Sequence, residues 1–449
     1  MPNAISSSSQ PESPLLLRAV RLARLAREAG GRALLVGGFV RDELLGLAPK
    51  DADIEVFGLE AEVLRRILQK LGRVDCVGES FRVYKLAWHE HNQRFELDVS
   101  LPRRERKVAS GHKGFEVEGD PHASVEDAAR RRDFTLNAIL RDPLTDEILD
   151  PFGGRADLEK RILRVVDAGH FAEDSLRVLR AAQFAARFEL QIEPQTMSLC
   201  RSIELSDLPR ERIWGEWEKL LLKATRPSLG LRALAGLGAL EQLHPYLLTA
   251  MARHRTSLDE TVDGAARERE SLDYPRRLTL MLASIGLFLG RGQKSNHGVE
   301  RFLSDLNVHT VEGYDVRLNT IRLVMERKRA ADWFRARHMV QDWELRFLSA
   351  RIEPRLIYHL ARARGHIEAA EWLRERMQVL EVFDGPPKAL LLGRHLLEMG
   401  LKPGPQIGKV TQAAWIAQLR GEFDDLEGAR AWAKNFLAAG GPWAVTDSK

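Results

Sequence analysis

The sequence predicts an α+β protein: an N-terminal head of about 140 residues on a small mixed β-sheet flanked by helices, then an all-helical remainder. Three observations carry this expectation. Short apolar runs bounded by glycines alternate with helical patterns in the first 140 residues, and period-two alternation is confined to that region. From Phe171 onward little reads as strand, and no internal repeat is detectable.

Taken in order, residues 1–13 are Ser/Pro-rich and expected to be disordered. Leu15 to Ala29 repeats apolar residues at helical spacing and reads as an amphipathic helix. ALLVGG is a short buried strand ending in a glycine turn, and FVRDELLG is the helix launched by that turn. DADIEVFG alternates polar and apolar residues, a strand with Asp51 and Asp53 on one face. FRVYKLAW and RFELDVSLP read as a hairpin, with Asp98 near the end of its second strand. Between Pro102 and Val125 the chain is rich in Gly, Ser and charge without clear period, which predicts a mobile surface loop. RRDFTLNA is a basic turn followed by a short strand or the start of a helix, and helical patterns dominate beyond Val125.

Composition narrows the function classes. At 449 residues the chain exceeds one core, so two to four domains are expected. No apolar run approaches the length that crosses a bilayer, and MPNAISSSSQPESP has neither a basic start nor an apolar h-region. The expectation is a soluble cytoplasmic protein without a membrane partner. Two cysteines, Cys76 and Cys200, are too few for a disulfide framework and are read as core residues. Lys plus Arg exceeds Asp plus Glu by only 68 to 64, but basic residues concentrate in RRERK (103–107), RRR (130–132) and the stretch from Arg155 to Arg187. Such clusters suit a polyanion.

The chemistry starts at LLVGGFVRDELLGLAPKDADIEVFG. Two carboxylates two residues apart on a strand point the same way, within reach of one hard cation such as Mg2+. Alone, Asp51 and Asp53 fit a solvated strand end better than a metal site. Upstream, Gly37 and Gly38 let backbone N–H groups approach a triphosphate, and Arg41 in the first helical turn is placed to pair with its oxygens. Asp98 on a neighbouring strand offers a third carboxylate. Together these describe a two-metal nucleotidyl transfer site.

A second constellation concerns the base. Cytosine and adenine each present an exocyclic amine beside a ring-nitrogen acceptor, whereas uracil and guanine present a carbonyl beside a ring N–H. A carboxylate with a guanidinium three residues on, on one side of a helix, accepts from the amine and donates to the ring nitrogen. Asp174 and Arg177 have that spacing. An isolated D-x-x-R would be an intrahelical salt bridge.

GGFVRD (37–42) followed by KDADI (50–54) resembles the signature of class II tRNA nucleotidyltransferases, the CCA-adding enzymes and their bacterial poly(A) polymerase relatives. RRDFTLNAI (131–139) resembles the ribose-recognition motif of that family, DPFGGRADL (150–158) its head-to-neck segment, EDSLRVLRAAQFAARF (173–188) its base-recognition helix, ERIWGEWEKLLL (211–222) its next neck helix and LLEMGLKPGPQIGKV (396–410) its tail. The resemblance implies a nucleotidyltransferase head at 14–140, a neck at 141–222, a helical body at 223–335 and a tRNA-binding tail at 336–449. It sets Arg132, Asp133 and Asn137 against ribose and phosphates, with Asp174, Arg177 and Arg180 on the nucleotide. An Asp and an Asn beside a sugar can read its 2′-hydroxyl.

The implied reaction is addition of C, C and A to the tRNA 3′ end from CTP and ATP. A dedicated A-adding enzyme working with a separate CC-adding partner is the alternative, then poly(A) synthesis. The segment 102–125 looks like a full-length version of the family's flexible loop, which implies competence to add A. Two departures matter. Where many bacterial relatives carry the His-Asp pair of a phosphohydrolase, LTLMLASIGLFLG has Ala283 and Ser284, neither a metal ligand of that kind, so the body is expected to lack that activity and to contact RNA. Where the poly(A) branch has an arginine pair, VGESFRV has Glu79 and Ser80, and the nearly neutral end GGPWAVTDSK lacks the basic tail of that branch. A catalytically idle RNA-binding protein would not need the metal pair, and a small-molecule nucleotidyltransferase would be more compact.

Overall fold

The structure is a computed structural model that describes residues 13–49, 51–77, 83–90, 92–107, 115–290 and 297–441. Residues 1–12, Lys50 of KDADI, Glu79 and Ser80, the loop segment 108–114 and the terminal residues 442–449 lie outside the described residues. Contacts divide the chain into two compact units, the first of residues 1–220 and 229–245, the second of residues 221–228 and 246–449. Head and neck of the sequence reading thus share one unit.

The first unit is built on a seven-stranded mixed sheet in the order β3-β4-β5-β2-β1-β8-β9. Its strands are β1 (Arg32–Val36), β2 (Asp53–Phe57), β3 (Arg73–Val77), β4 (Val83–Glu90), β5 (Gln93–Ser100), β8 (Leu140–Arg141) and β9 (Ile148–Leu149). The expected β4–β5 hairpin is present, with Lys85 opposite Asp98. Only β2 and β5 pair in parallel, which sets Asp53 beside Asp98 and Glu55 beside Ser100. Sequence reading missed β3, β8 and β9: β3 pairs with its neighbour β4 and β9 with its neighbour β8, and only β8 reaches back to the distant β1.

Helix α1 (Pro14–Glu28) buries Leu15, Ala19, Leu22, Ala23 and Ala26, one stripe at helical spacing, and packs on β1, β5 and α3 (Ala61–Gln69). Between β1 and α2 (Gly38–Leu44) the chain turns at Gly37 with φ 67°, a left-handed conformation that only glycine adopts at little cost. Leu34, Val36, Phe57, Ala128, Ala129, Ala138 and Leu140 close the core around that turn, with α4 (Val125–Arg130) capped by Ser124.

Two expectations are corrected here. Cys76 on β3 is exposed, because its strand is at the sheet edge, whereas Cys200 is buried and its thiol pushed up to about 12 by that burial. The segment predicted as a mobile loop contains paired strands, β6 (Arg103–Lys107) and β7 (Phe115–Gly119), antiparallel from Arg103 opposite Gly119 to Lys107 opposite Phe115. Its backbone hydrogen bonds are met by its own two arms, so no apolar alternation was needed to specify it.

Five helices complete the neck: α5 (Gly154–Glu159), α6 (Ala168–Ala172), α7 (Leu176–Phe188), α8 (Pro194–Arg201) and α9 (Arg210–Lys223). Gly154 lies so close to the head that a Cβ there would meet the Thr135 carbonyl oxygen at 2.2 Å. Trp217 is buried, edge-on to His244, itself 2% exposed.

The second unit is helical among its described residues, apart from a two-residue ribbon at Thr310–Val311 and Tyr314–Asp315. Its long helix Pro245–Glu268 breaks at His254 (φ −130°, ψ 27°). Ala283 and Ser284 are fully buried in the helix Tyr274–Gly286, the serine Oγ donating to the Met281 carbonyl. Arg269 is 5% exposed and donates to the carbonyls of Leu221 and Ala224. A separate cluster of Leu391, Leu396, Val410, Ala414, Ala417, Phe423, Ala429 and Ala433 forms the C-terminal core. Helix Arg329–Arg335 packs on helices Pro354–Ala363 and Ile367–Val379. No helix among the described residues is long and apolar enough to cross a membrane.

Candidate active site

A cavity of about 440 Å³ opens in the first unit, within the usual range for ligand pockets. Asp53, Glu55, Asp98 and Ser100 of β2 and β5 form one wall, and Arg131, Arg132 and Asp133 another. Asp174, Arg177, Arg180 and Arg212 of the neck contribute the third. Residues more than a hundred apart in sequence thus meet in one concave, strongly charged space.

Asp53 opens into this cavity, yet its carboxyl is raised above the usual range. Loss of solvent to the surrounding protein is the leading cause, and Asp98, Asp51 and Glu55 add repulsion that Arg132 opposes. Opposite it, Asp98 is held by Lys85 Nζ at 3.3 Å across β4 and β5. Among the described residues no group of three or more His, Cys, Asp or Glu is placed to hold a metal ion, so Asp51, Asp53 and Asp98 do not converge as one cluster. Asp51 precedes β2 and borders a separate depression with Pro49, Arg94, Phe95 and Glu96. The excess of negative charge at Asp53 is nevertheless what a hard cation relieves, and the donors are all oxygens. Two carboxylates completed by substrate phosphates suit Mg2+.

The glycine turn lies at this wall. A Cβ on Gly37 would stand 3.0 Å from Arg132 Nη1 and 3.9 Å from Asp53 Oδ2. Arg41, expected to face phosphates, is 4% exposed and does not line the cavity. Its Nη1 donates to Asn137 Oδ1 at 2.7 Å and its Nε to Asp42 Oδ1 at 2.8 Å, with the guanidinium carbon 4.5 Å from the Phe188 ring centre. Burial pulls its pKa down against the pull of Asp42.

Asn137 is likewise buried, and it passes the chain of bonds on: its Nδ2 donates to Asp133 Oδ1 at 2.9 Å. Asp133 also accepts from the Phe134 N–H and, through Oδ2, from Arg180 Nε at 2.8 Å and Nη2 at 2.6 Å. Burial alone would raise that carboxyl, but Arg180, Asn137 and the backbone donor hold it below the usual range. Arg180, whose own pKa is raised by Asp133 and Glu216 despite burial, thus ties neck to head.

At the far wall Asp174 lies just before α7, not on it as the spacing argument had it. Its Oδ1 accepts from the Leu176 N–H and its Oδ2 from Arg212 Nη2 at 2.8 Å. Arg177 donates to the carbonyls of His170 (2.6 Å) and Arg131 (2.9 Å), so Asp174 and Arg177 are each oriented by other groups while both border the cavity.

Residues 33–164 match the family described as "Poly A polymerase head domain", and residues 189–251 the one described as "Probable RNA and SrmB- binding site of polymerase A". The multifunctional CCA protein of Nitrosomonas europaea is 43% identical over 214 residues, 47% of this chain and 48% of that protein. That of Methylobacillus flagellatus is 36% identical over 282 residues, 61% and 65% of the two chains. Over its head and neck the chain is thus similar to the class II CCA-adding enzymes and poly(A) polymerases.

The chain spans about half the length of the first curated relatives it matches. Solved CCA-adding enzymes share its fold. One from Bacillus stearothermophilus, in complex with CTP, has a TM-score of 0.69 at 23% identity over 95% of this chain and 99% of that one. One from Thermotoga maritima, complexed with tRNA, has a TM-score of 0.63 at 21% identity over 95% and 96%. Against the family motifs, the cavity brings together Asp53, Asp98, Arg132, Asp133, Asp174, Arg177 and Arg180, and leaves Gly37, Gly38, Arg41, Asp51 and Asn137 off its lining. Sequence reading missed Glu55, Arg131 and Arg212. Glu55 continues the same strand face two residues after Asp53, a signal that was present; Arg212 gave none, being one arginine of a charged helix.

Proposed function

We propose that this protein is a template-independent tRNA nucleotidyltransferase that adds C, C and A to a tRNA 3′ end from CTP and ATP. One observation carries the reading: a single cavity has Asp53 and Asp98 at one wall and Asp174 and Arg177 at another, joined by Arg132, Asp133 and Arg180. Curated relatives named multifunctional CCA proteins support it.

The family's head depends on a divalent metal, and Mg2+ is our choice of ion, held by Asp53 with Asp51 and Asp98 nearby. When bound, it would lower the pKa of a 3′-hydroxyl and steady the leaving pyrophosphate. Arg132, beside the Gly37 turn, supplies N–H donors to the triphosphate. Asp174 accepts from the amine that cytosine and adenine share, and Arg177 donates to the adjacent ring nitrogen, so UTP and GTP are refused without a nucleic-acid template. Gly37 and Gly38 shape the turn, Arg41 and Asn137 hold Asp133 in place, and Asp133 with Arg180 fixes the base reader against the head. The reaction places the protein in the cytoplasm with tRNA.

The test is a gel assay with Mg2+ and tRNA transcripts ending at the discriminator base, at C and at CC, given CTP, ATP, UTP or GTP singly and CTP with ATP. Growth of the bare transcript by three residues establishes CCA addition. Extension of only the CC-ending transcript by one A defines a dedicated A-adding enzyme that needs a separate CC-adding partner. No extension of any transcript, with Asp53→Ala as the control for contaminants, sinks the reading.

A further inference from the structure

Glu55 is a buried acid, 5% exposed, to which the reaction above gives no part. It follows Asp53 by two residues on β2 and therefore shares its face. Its Oε2 accepts from Arg132 Nη2 at 3.3 Å, and its Oε1 lies 3.8 Å from Arg131 Nη2. Arg132 meanwhile has its Nη1 over Gly37, beside the Asp53 carboxylate, and its buried Nε makes no hydrogen bond. The same guanidinium pulls on Asp53. It therefore stands between two carboxylates of one strand face. Were it to settle on Asp53, it would neutralise the group assigned to the cation and turn its donors away from the glycine turn.

We propose that Glu55 is a positioning residue for the incoming nucleoside triphosphate: it anchors Arg132 beside Gly37, with donors left for phosphate oxygens, and keeps it off Asp53. This rests on the nucleotidyl transfer reading of the site. The opposite expectation is equally definite. A bystander carboxylate this close to a polyphosphate repels it, and removing the charge would tighten nucleotide binding. Positioning and repulsion thus differ in sign.

The experiment measures equilibrium binding of CTP with Mg2+ to the full chain by calorimetry, alongside KM and kcat for C addition. Glu55→Gln keeps the shape and removes the charge; Glu55→Asp keeps the charge and shortens the reach. With positioning, Glu55→Gln weakens CTP binding about tenfold, in line with loss of a charge-assisted contact, and raises KM more than it lowers kcat. Glu55→Asp falls between that variant and the native protein. In an Arg132→Ala background, Glu55→Gln costs nothing further. Unchanged or tighter binding in Glu55→Gln overturns the proposal, as does an equal loss in the Arg132→Ala background. Should Glu55→Gln not fold, Glu55→Asp decides alone, native-like affinity counting against positioning. Failure of the native protein to bind any nucleoside triphosphate defeats the transfer reading itself, a result separate from unchanged Glu55 variants of a binding-competent protein.

Discussion

The carboxylate of Asp133 receives both Nε and Nη2 of Arg180, at 2.8 and 2.6 Å, and this pair, buried at the acid and half-buried at the guanidinium, joins the head to helix α7. Removing one partner leaves an uncompensated charge, so Asp133→Ala is expected to destabilise the first unit by about 3–5 kcal/mol. Its carboxyl lies below the ordinary range. Stability from the pair is therefore complete above the unfolded-state value, near pH 4, and is lost as pH falls through the lower native one. Urea unfolding at a series of pH values checks this: the gap between the native protein and Asp133→Ala should narrow only below about pH 4.

Asp53 carries the opposite sign. Its raised carboxyl means that the native state holds the proton more tightly than the unfolded one, so stability declines as pH rises from the ordinary carboxylate value to the native value. Asp53→Asn should raise the melting temperature by roughly 2 °C at pH 7, lose the gain in acid, and abolish C addition. A lower melting temperature at pH 7 would contradict the charge crowding described for this wall.

In the proposed function Asp174 reads the base, its Oδ2 held by Arg212 and its Oδ1 by the Leu176 N–H. Asp174→Asn replaces an acceptor by a group that also donates. Addition of C and A should fall by roughly a hundredfold in kcat/KM, while UTP gains relative to CTP. An unaltered UTP to CTP ratio would move base reading elsewhere.

Gly37 tests the turn. At φ 67°, with Arg132 Nη1 3.0 Å from where a Cβ would stand, Gly37→Ala should cost about 1–2 kcal/mol of backbone strain and displace Arg132. A melting curve and the KM for CTP should both shift. A normal KM with a lowered melting temperature would separate strain from triphosphate binding.

Part of the acidic wall of the cavity was legible locally. A period-two strand is enough to put Asp53 and Glu55 on one face, and the β4–β5 hairpin is enough to put Asp98 opposite Lys85, because both depend on pleat and on close chain neighbours; Asp51 falls before the strand, and Asp98 meets Asp53 only through the long-range parallel pairing of β2 and β5. Arg41 was not legible. Its spacing from the glycines fitted a phosphate ligand, but the rings of Phe184 and Phe188 and the amide of Asn137 bury it, and none of these is near it in sequence. The strand pairing inside 102–125 and the exposed place of Cys76 were hidden for a similar reason, since edge strands need no apolar alternation.

By itself the sequence determined the strands β1, β2, β4 and β5 and the first helices of the head, and the glycine turn at Gly37, because these follow from side-chain period and backbone sterics within a few residues. Only the tertiary structure decided which of two carboxylates holds Arg132, that Asp174 pairs with Arg212 rather than Arg177, and that Arg41 serves the interior. An arginine presents the same five donors wherever it stands. Its partner is chosen by which acids the fold brings within reach and by how much water burial removes.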